Sequence, residues 1–329
     1  VGSGIIGMTI AYELKQQDEN LKIVIIDKED DVAKHASGRN SGVLHAGFYY
    51  TANSLKAKFT VDGNRLMKKF CNENNIFVKN TQKIVVAKDE EELEGIYELQ
   101  KRAEINGVDT KVIGEEEVLK IDSNIKTYKK ALFSPNTASV DPKEVCYKLR
   151  DILKEKGVDF FFNTSFEDCK LEYKYLINSS GAYADKIAQK FGLAKNYTML
   201  PFKGIYLKYM PNKTDIKTNI YPVPNLENPF LGVHYTITSD GSIKIGPTAI
   251  PAFWRENYKG FSNFNFKEMI EIIYFETKLF IQNSFNFRKL AIEEMKNYSS
   301  KVFIQKAKDM VKNIGNDFKP IPAGIRAQL

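Results

Sequence analysis

Residues 1–30 read VGSGIIGMTIAYELKQQDENLKIVIIDKED, and this stretch decides the fold. Its glycines, Gly2, Gly4 and Gly7, are spaced as G-x-G-x-x-G. Ile6, Ile10 and Leu14 then recur every four positions, which predicts a helix directly behind the glycines. Residues 22–26, KIVII, form a short continuous apolar run, the pattern of a strand buried on both faces. The run ends on Asp27, twenty residues after Gly7. Such a loop lets the backbone turn tightly against a pyrophosphate, and an acid at that distance suits a ribose hydroxyl. The glycine triplet alone is a weak signal; glycines, helix, apolar strand and acid together make a strong one. They predict an α/β chain with a doubly wound, Rossmann-like domain. The turn needs a strand in front of it, yet only Val1 precedes Gly2, and residues 321–329 end without a closing element. We therefore expect a fragment at both ends.

Working outward, 329 residues suit two domains. A hydrophobic share of 43% with 27% charged residues excludes a disordered chain. No apolar run approaches the ~18–20 residues a spanning helix needs, so no transmembrane segment is expected. The balance of 48 basic against 41 acidic residues gives +7, nearly all of it lysine interleaved with acids. A nucleic-acid binder would cluster arginine, so that class is set aside, while a modest positive field favours an anionic substrate. Cys71, Cys146 and Cys169 are odd in number and form no CxxC. Neither a disulfide framework nor a metal site is expected, and a reducing, cytoplasmic setting fits.

Residues 35–50, HASGRNSGVLHAGFYY, form a loop dense in Gly, Ser and Asn. Leu55, Phe59, Leu66 and Phe70 then predict an amphipathic helix with Ser54 as its N-cap. A strand is expected at 83–87 and a charged helix at 89–106. Another helix should run from Asp141-Pro142 to about Lys156, capped by Gly157 and followed by a strand at 158–163. Residues 176–185, LINSSGAYAD, repeat the strand, glycine, helix logic around Gly181, either as a second phosphate-facing turn or as a plain βα turn. Short strands broken by Pro and Gly follow over 200–247, then two or three helices over 266–314.

SGRNSGVLHAGFYYTANSLKAKF (37–59) resembles the corresponding stretch of the L-2-hydroxyglutarate oxidase/dehydrogenase family, flavoenzymes of the D-amino-acid-oxidase-like fold. The likeness continues in FCNENNI, PFKGIYLKY, NIYPVPNLENPFLGVHYT, GPTAIPAFWRENY and PAGIRAQ, and so spans nearly the whole chain. It implies noncovalent FAD and oxidation of an L-2-hydroxy dicarboxylate to the 2-oxo acid, electrons passing to a quinone or to oxygen. It places FAD-binding parts at 1–80 and 131–198, a mixed α+β substrate domain at 81–130 and 199–320, and the start of a further FAD-binding segment at 321–329. By motif, Gly2, Gly4 and Gly7 would meet the pyrophosphate and Asp27 the adenosine ribose. Ser37, Asn40, Ser41 and Gly42 would lie along the flavin's phosphate and ring, Phe166 near the adenine, and Gly181 in the second cofactor turn. The chain departs from the family in having Asp rather than Glu at 27 and Lys203 in place of the arginine of a PF-R-G motif. Its span between Phe166 and Leu176 is short, and the segment that follows RAQ in the family is missing from this sequence.

Oxidising a 2-hydroxy acid removes a hydride from carbon and a proton from the hydroxyl, and imidazole titrates nearest neutral pH. His45 lies in the glycine-rich loop beside which the resemblance sets the flavin, and His234 follows Gly232-Val233 in an expected strand of the substrate domain. We favour His234 as base and His45 for positioning flavin or substrate, an ordinary structural histidine being the plain alternative for each. His35 is expected at the surface. A dicarboxylate needs cations, for which Arg326, Lys203, Lys56 and Arg255 are candidates; Arg326 is the best, because guanidinium suits a carboxylate. Tyr49 and Tyr50 either close the pocket or pack in the core. Two alternatives remain at this level: another FAD oxidase of the fold, acting on an amino acid, sarcosine or glycerol phosphate, and an inactive truncated remnant. Peripheral contact with an inner membrane stays open.

Overall fold

The computed structural model describes residues 1–211, 216–224, 232–296 and 299–329. The middle of the YPVP…PFLGVH motif, 225–231, lies outside the described residues.

The helix behind the glycines runs Ile5–Gln17 and buries Met8 and Ala11. The apolar run forms the strand Val24–Ile26, which pairs in parallel with Asp159–Phe161. Between them the helix Pro142–Glu155 starts from Asp141, whose carboxylate accepts from the Lys143 amide at 2.8 Å, with proline in the first turn. Gly157 follows at φ +75°, a conformation that costs glycine little, and turns the chain into its strand. Met8, Ile25, Cys146, Leu149 and Val158 close one core.

Val1, directly before the glycine loop, is held from both sides. Its ammonium donates to the Ile177 carbonyl at 2.7 Å. The Ser179 amide donates to Val1, and the Gly2 amide to Ile26, each at 2.9 Å. Residues 176–178 are not part of a strand ladder, where the sequence suggests a strand.

The helix Leu55–Glu73 begins at Ser54 as expected, its side chain accepting from Ala57 at 3.1 Å. Its buried face corrects the sequence reading. Leu55, Phe59 and Leu66 are 69%, 65% and 51% exposed, while Ala57, Met67, Phe70 and Cys71 face inward. The reason is close approach: a Cβ on Gly47 would meet Val61 at 2.7 Å, and Asn64 donates to the Leu44 carbonyl at 2.9 Å. Small and polar positions win that face.

An eight-stranded mixed sheet forms the other half, in the order Phe318–Pro320, Leu207–Tyr209, Ile243–Gly246, His234–Ile237, Asn219–Pro222, Lys83–Val86, Lys130–Ser134, Lys111–Gly114. Only Asn219–Pro222 and Lys83–Val86 run parallel; the other neighbours are antiparallel. Period-two alternation sorts the faces. Ile84, Val86, Ile220, Tyr235 and Ile245 pack on one side with Phe303 and Met310. Val85, Leu132 and Tyr221 pack on the other with Phe48 and with Ile96 and Leu99 of the helix Glu90–Ile105. A three-stranded sheet, Ile250–Pro251, Leu200–Gly204 and Gly324–Gln328, carries Arg326 opposite Phe202. The architecture is the α/β combination expected: a dinucleotide-type βαβ unit joined to a mixed sheet.

Candidate active site

A cavity of about 970 Å³ lies between the glycine loop and the large sheet. That is the upper end of the ~300–1,000 Å³ usual for ligand sites. Gly2, Gly4, Asp27, Ser37, Asn40, Ser41, Phe166 and Gly181 line it from the nucleotide half. His45, His234 and Arg326 join them, with Tyr206 and Tyr221, two aromatics that sequence reasoning had not assigned.

Six expected residues, Gly7, Gly42, Lys56, Lys203, Tyr49 and Tyr50, are not on its wall, and Tyr49 packs against the core instead. Gly7 is a packing glycine, since a Cβ there would sit 2.2 Å from the Gly2 carbonyl oxygen. Gly42, at φ +73°, ties the loop to the adjacent 138–140 segment, the Val140 amide donating to its carbonyl at 2.9 Å. Lys203 donates to the Asn257 side chain at 2.8 Å. Lys56 is exposed, its ammonium 4.6 Å from the Tyr50 ring centre, and both feel the charge of Arg326.

The glycine loop is anchored by its own strand-end acid. Asp27 Oδ2 accepts from the Ser3 amide and hydroxyl, each at 2.7 Å, and Oδ1 accepts from the Glu29 amide at 3.0 Å. Gly2 sits at φ +99°, and a Cβ would meet the Ser179 carbonyl oxygen at 2.5 Å. The helix that follows has no acid in its first turn and no side-chain cap, and Ser37 Oγ takes only the Ile5 amide, at 2.9 Å. Unpaired amides and the positive end of the helix dipole make this an anion cradle. Ile6 stands 62% exposed beside it on the cavity wall.

Residues 254–258, WRENY, fasten the cavity's distant walls together. Arg255 is 1% exposed and pairs with both oxygens of Asp185, at 2.8 and 2.9 Å; it also donates to the Ala182 carbonyl in the second turn. Burial opposes ionisation of Asp185, but the guanidinium outweighs it and holds the carboxyl below its usual range. Arg255 is thus a clamp on the second turn, which removes it from the substrate cations considered. Glu256 accepts from Lys28 and, at 3.0 Å, from Tyr183. His35, expected at the surface, instead bridges Tyr258 at 2.7 Å and Glu29 at 2.9 Å.

The two candidate histidines flank Tyr221. His234 is 3% exposed and stacks on that ring at 3.8 Å between centroids. Its Nδ1 lies 2.8 Å from the Gly232 carbonyl oxygen. A carbonyl only accepts, so Nδ1 carries the proton and Nε2 keeps its lone pair. Burial pushes its pKa down to about 3, so the ring is neutral throughout the physiological range. His45 meets Tyr221 edge-on at 6.3 Å, and burial, aided by the Lys83 charge, holds it well below its usual value. Lys83, a residue the sequence reading passed over as the first of a strand, places its Nζ 3.1 Å from His45 Nδ1.

Comparison with known proteins fits this geometry. The FAD dependent oxidoreductase (DAO) family matches residues 1–283. The L-2-hydroxyglutarate dehydrogenase of Escherichia coli O17:K52:H18 (strain UMN026 / ExPEC) is 34% identical over 100% of this chain and 81% of its own length. The mitochondrial L-2-hydroxyglutarate dehydrogenase of Bos taurus is 33% identical over 100% of this chain and 76% of its own. Among solved structures, the dithionite-reduced L-alpha-glycerophosphate oxidase of Mycoplasma pneumoniae with FAD bound superposes with a TM-score of 0.76 at 21% identity, covering 99% of this chain and 81% of that one. That likeness concerns the fold.

Proposed function

The chain belongs to the FAD dependent oxidoreductase family, and from that premise we propose that it oxidises L-2-hydroxyglutarate to 2-oxoglutarate. One observation carries the substrate: relatives aligned over the whole chain share that activity in their names. The cradle suits the cofactor, because the helix end behind Gly4 carries no acid in its first turn and no side-chain cap, and Gly2, at φ +99° with the Ser179 backbone against it, keeps the loop tight beneath. In this reading Gly2, Gly4 and the amides behind them hold the pyrophosphate, and Asp27 and Phe166 lie at the adenosine. Ser37, Asn40 and Ser41 run along the flavin, with the FAD parts at 1–80 and 131–198.

When bound, FAD supplies the acceptor for the hydride leaving C2. The hydroxyl proton is left for the chain to take, and His234 offers the bare Nε2 that can accept it. A buried neutral imidazole is a weak base by itself. The substrate's two carboxylates would stabilise the imidazolium and raise its affinity for the proton. Arg326, exposed at the cavity wall, holds one carboxylate through its planar fork. Electrons then pass to a quinone or to oxygen. Among the described residues no helix is long and apolar enough to cross a membrane.

The test is anaerobic bleaching of the flavin band. L-2-hydroxyglutarate should reduce bound FAD, while glycine, sarcosine and glycerol phosphate should not. Reduction by one of the latter alone would move the chain to another activity of the fold.

A further inference from the structure

Lys83 is 0% exposed at the start of the strand Lys83–Val86, on the face it shares with Val85. Among the described residues no carboxylate pairs with it, and its hydrogen-bond partner is His45 Nδ1 at 3.1 Å. Its ammonium faces three aromatic rings instead, with centroids 4.0 Å away for Tyr221, 4.9 Å for Tyr49 and 5.5 Å for Phe48. A buried lysine without a counter-charge is costly, and an apolar side chain of the same length would fill the space without that cost. The ring faces offset part of the cost by attracting a cation. What the lysine adds that methionine would not is a donor aimed at one nitrogen of one histidine on the cavity wall.

We propose that Lys83 is a positioning residue that, by donating to Nδ1, holds His45 as the Nε2–H tautomer, so that His45 presents a hydrogen-bond donor to the substrate. An ammonium has no lone pair, so His45 Nδ1 must accept, and the ring proton moves to Nε2. His234 is fixed the opposite way by the Gly232 carbonyl, which leaves its Nε2 bare. The two histidines around Tyr221 thus have divided roles: His234 takes the hydroxyl proton, and His45 donates to a substrate oxygen without accepting one. Other ionisable groups around this cluster are His234, Tyr49 and Tyr221, and burial pushes both phenols up, so they stay neutral. Burial also pulls Lys83 down to about 7, so the lock on His45 is fullest below that pH, where the group is an ammonium that can only donate. The use of the donor rests on the oxidation proposed above; the tautomer does not.

The experiment is side-chain ¹⁵N NMR of the FAD-loaded protein, with the three histidines assigned through His35→Gln, His45→Gln and His234→Gln. His45 should show a protonated Nε2 and an accepting Nδ1, and His234 the reverse. Lys83→Met should release the His45 tautomer and slow flavin reduction by about 10–100-fold, the range for losing one charge-assisted hydrogen bond. Lys83→Arg should keep the tautomer and recover most of the rate. A proton on His45 Nδ1 in the unmodified protein overturns the proposal without recourse to any variant. So does an unchanged tautomer and rate in Lys83→Met. If L-2-hydroxyglutarate fails to reduce the flavin at all, the activity reading fails, while the tautomer still decides the role of Lys83.

Discussion

Replacing Arg255 by methionine should loosen the cavity from a distance. The guanidinium and the Asp185 carboxylate are 1% and 0% exposed and meet through two bonds of 2.8 and 2.9 Å. Removing one member of such a pair leaves the other charge buried without compensation, at about 3–5 kcal/mol. At roughly 2–4 °C per kcal/mol for a large domain, the melting midpoint should fall by about 6–20 °C. The loss should be partly recovered in Arg255→Met/Asp185→Asn, because the second change removes the stranded charge. The Arg255 donation to Ala182 lies in the second turn, so FAD retention should fall in both variants. The pair also predicts a direction with pH. The folded Asp185 carboxyl is depressed below its ordinary value of 3.8, so its contribution is fully present above that value and lost as pH falls through the folded one. Thermal melts between pH 3 and 7 and flavin retention after dialysis test this reasoning. A single variant that melts within about 1 °C of the unmodified protein would refute it.

Four further outcomes follow from the site. Gly2→Ala should abolish FAD retention on dialysis, since its Cβ would sit 2.5 Å from the Ser179 carbonyl oxygen at φ +99°. Gly181→Ala, with nothing within 4 Å but φ +57°, should cost only about 1 kcal/mol in a melt and keep its flavin. His234→Asn should retain FAD yet reduce it ~10²–10⁴-fold more slowly in single-turnover kinetics, whereas a normal rate would place the base elsewhere. Arg326→Lys should weaken a dicarboxylate more than a monocarboxylate analogue in flavin-bleaching titrations; equal losses would assign Arg326 to the fold instead.

The glycine loop, the apolar strand before Asp27 and the caps Ser54 and Asp141 are legible in the sequence because each is a local pattern, complete within a few turns of chain. The helix Leu55–Glu73 shows where periodicity stops short. Its apolar stripe marks a face, but the buried face was chosen by Gly47 and Asn64, which allow the 42–48 loop to approach closely. Arg255 reads as a free cation until Asp185 is found 70 residues away, and His35 reads as a surface residue until Tyr258 is found 223 residues away. Lys83 gives no signal at all, since a strand-initial lysine is ordinarily solvated.

The WRENY segment sets an order of assembly. Its partners are Lys28, His35, Tyr183 and Asp185, up to 228 residues distant along the chain. Contacts of such separation need a large loop to be closed before they return any stabilisation, so they form late. The βαβ unit and the mixed sheet close over shorter spans, 135 residues between Val24 and Asp159 and 136 between Lys83 and Asn219, than the 228 and 223 residues that separate Lys28 and His35 from this pentapeptide. Capacity to hold a dinucleotide should therefore appear as the closing event of folding rather than as its seed. In refolding experiments, flavin capture should lag behind the recovery of secondary structure.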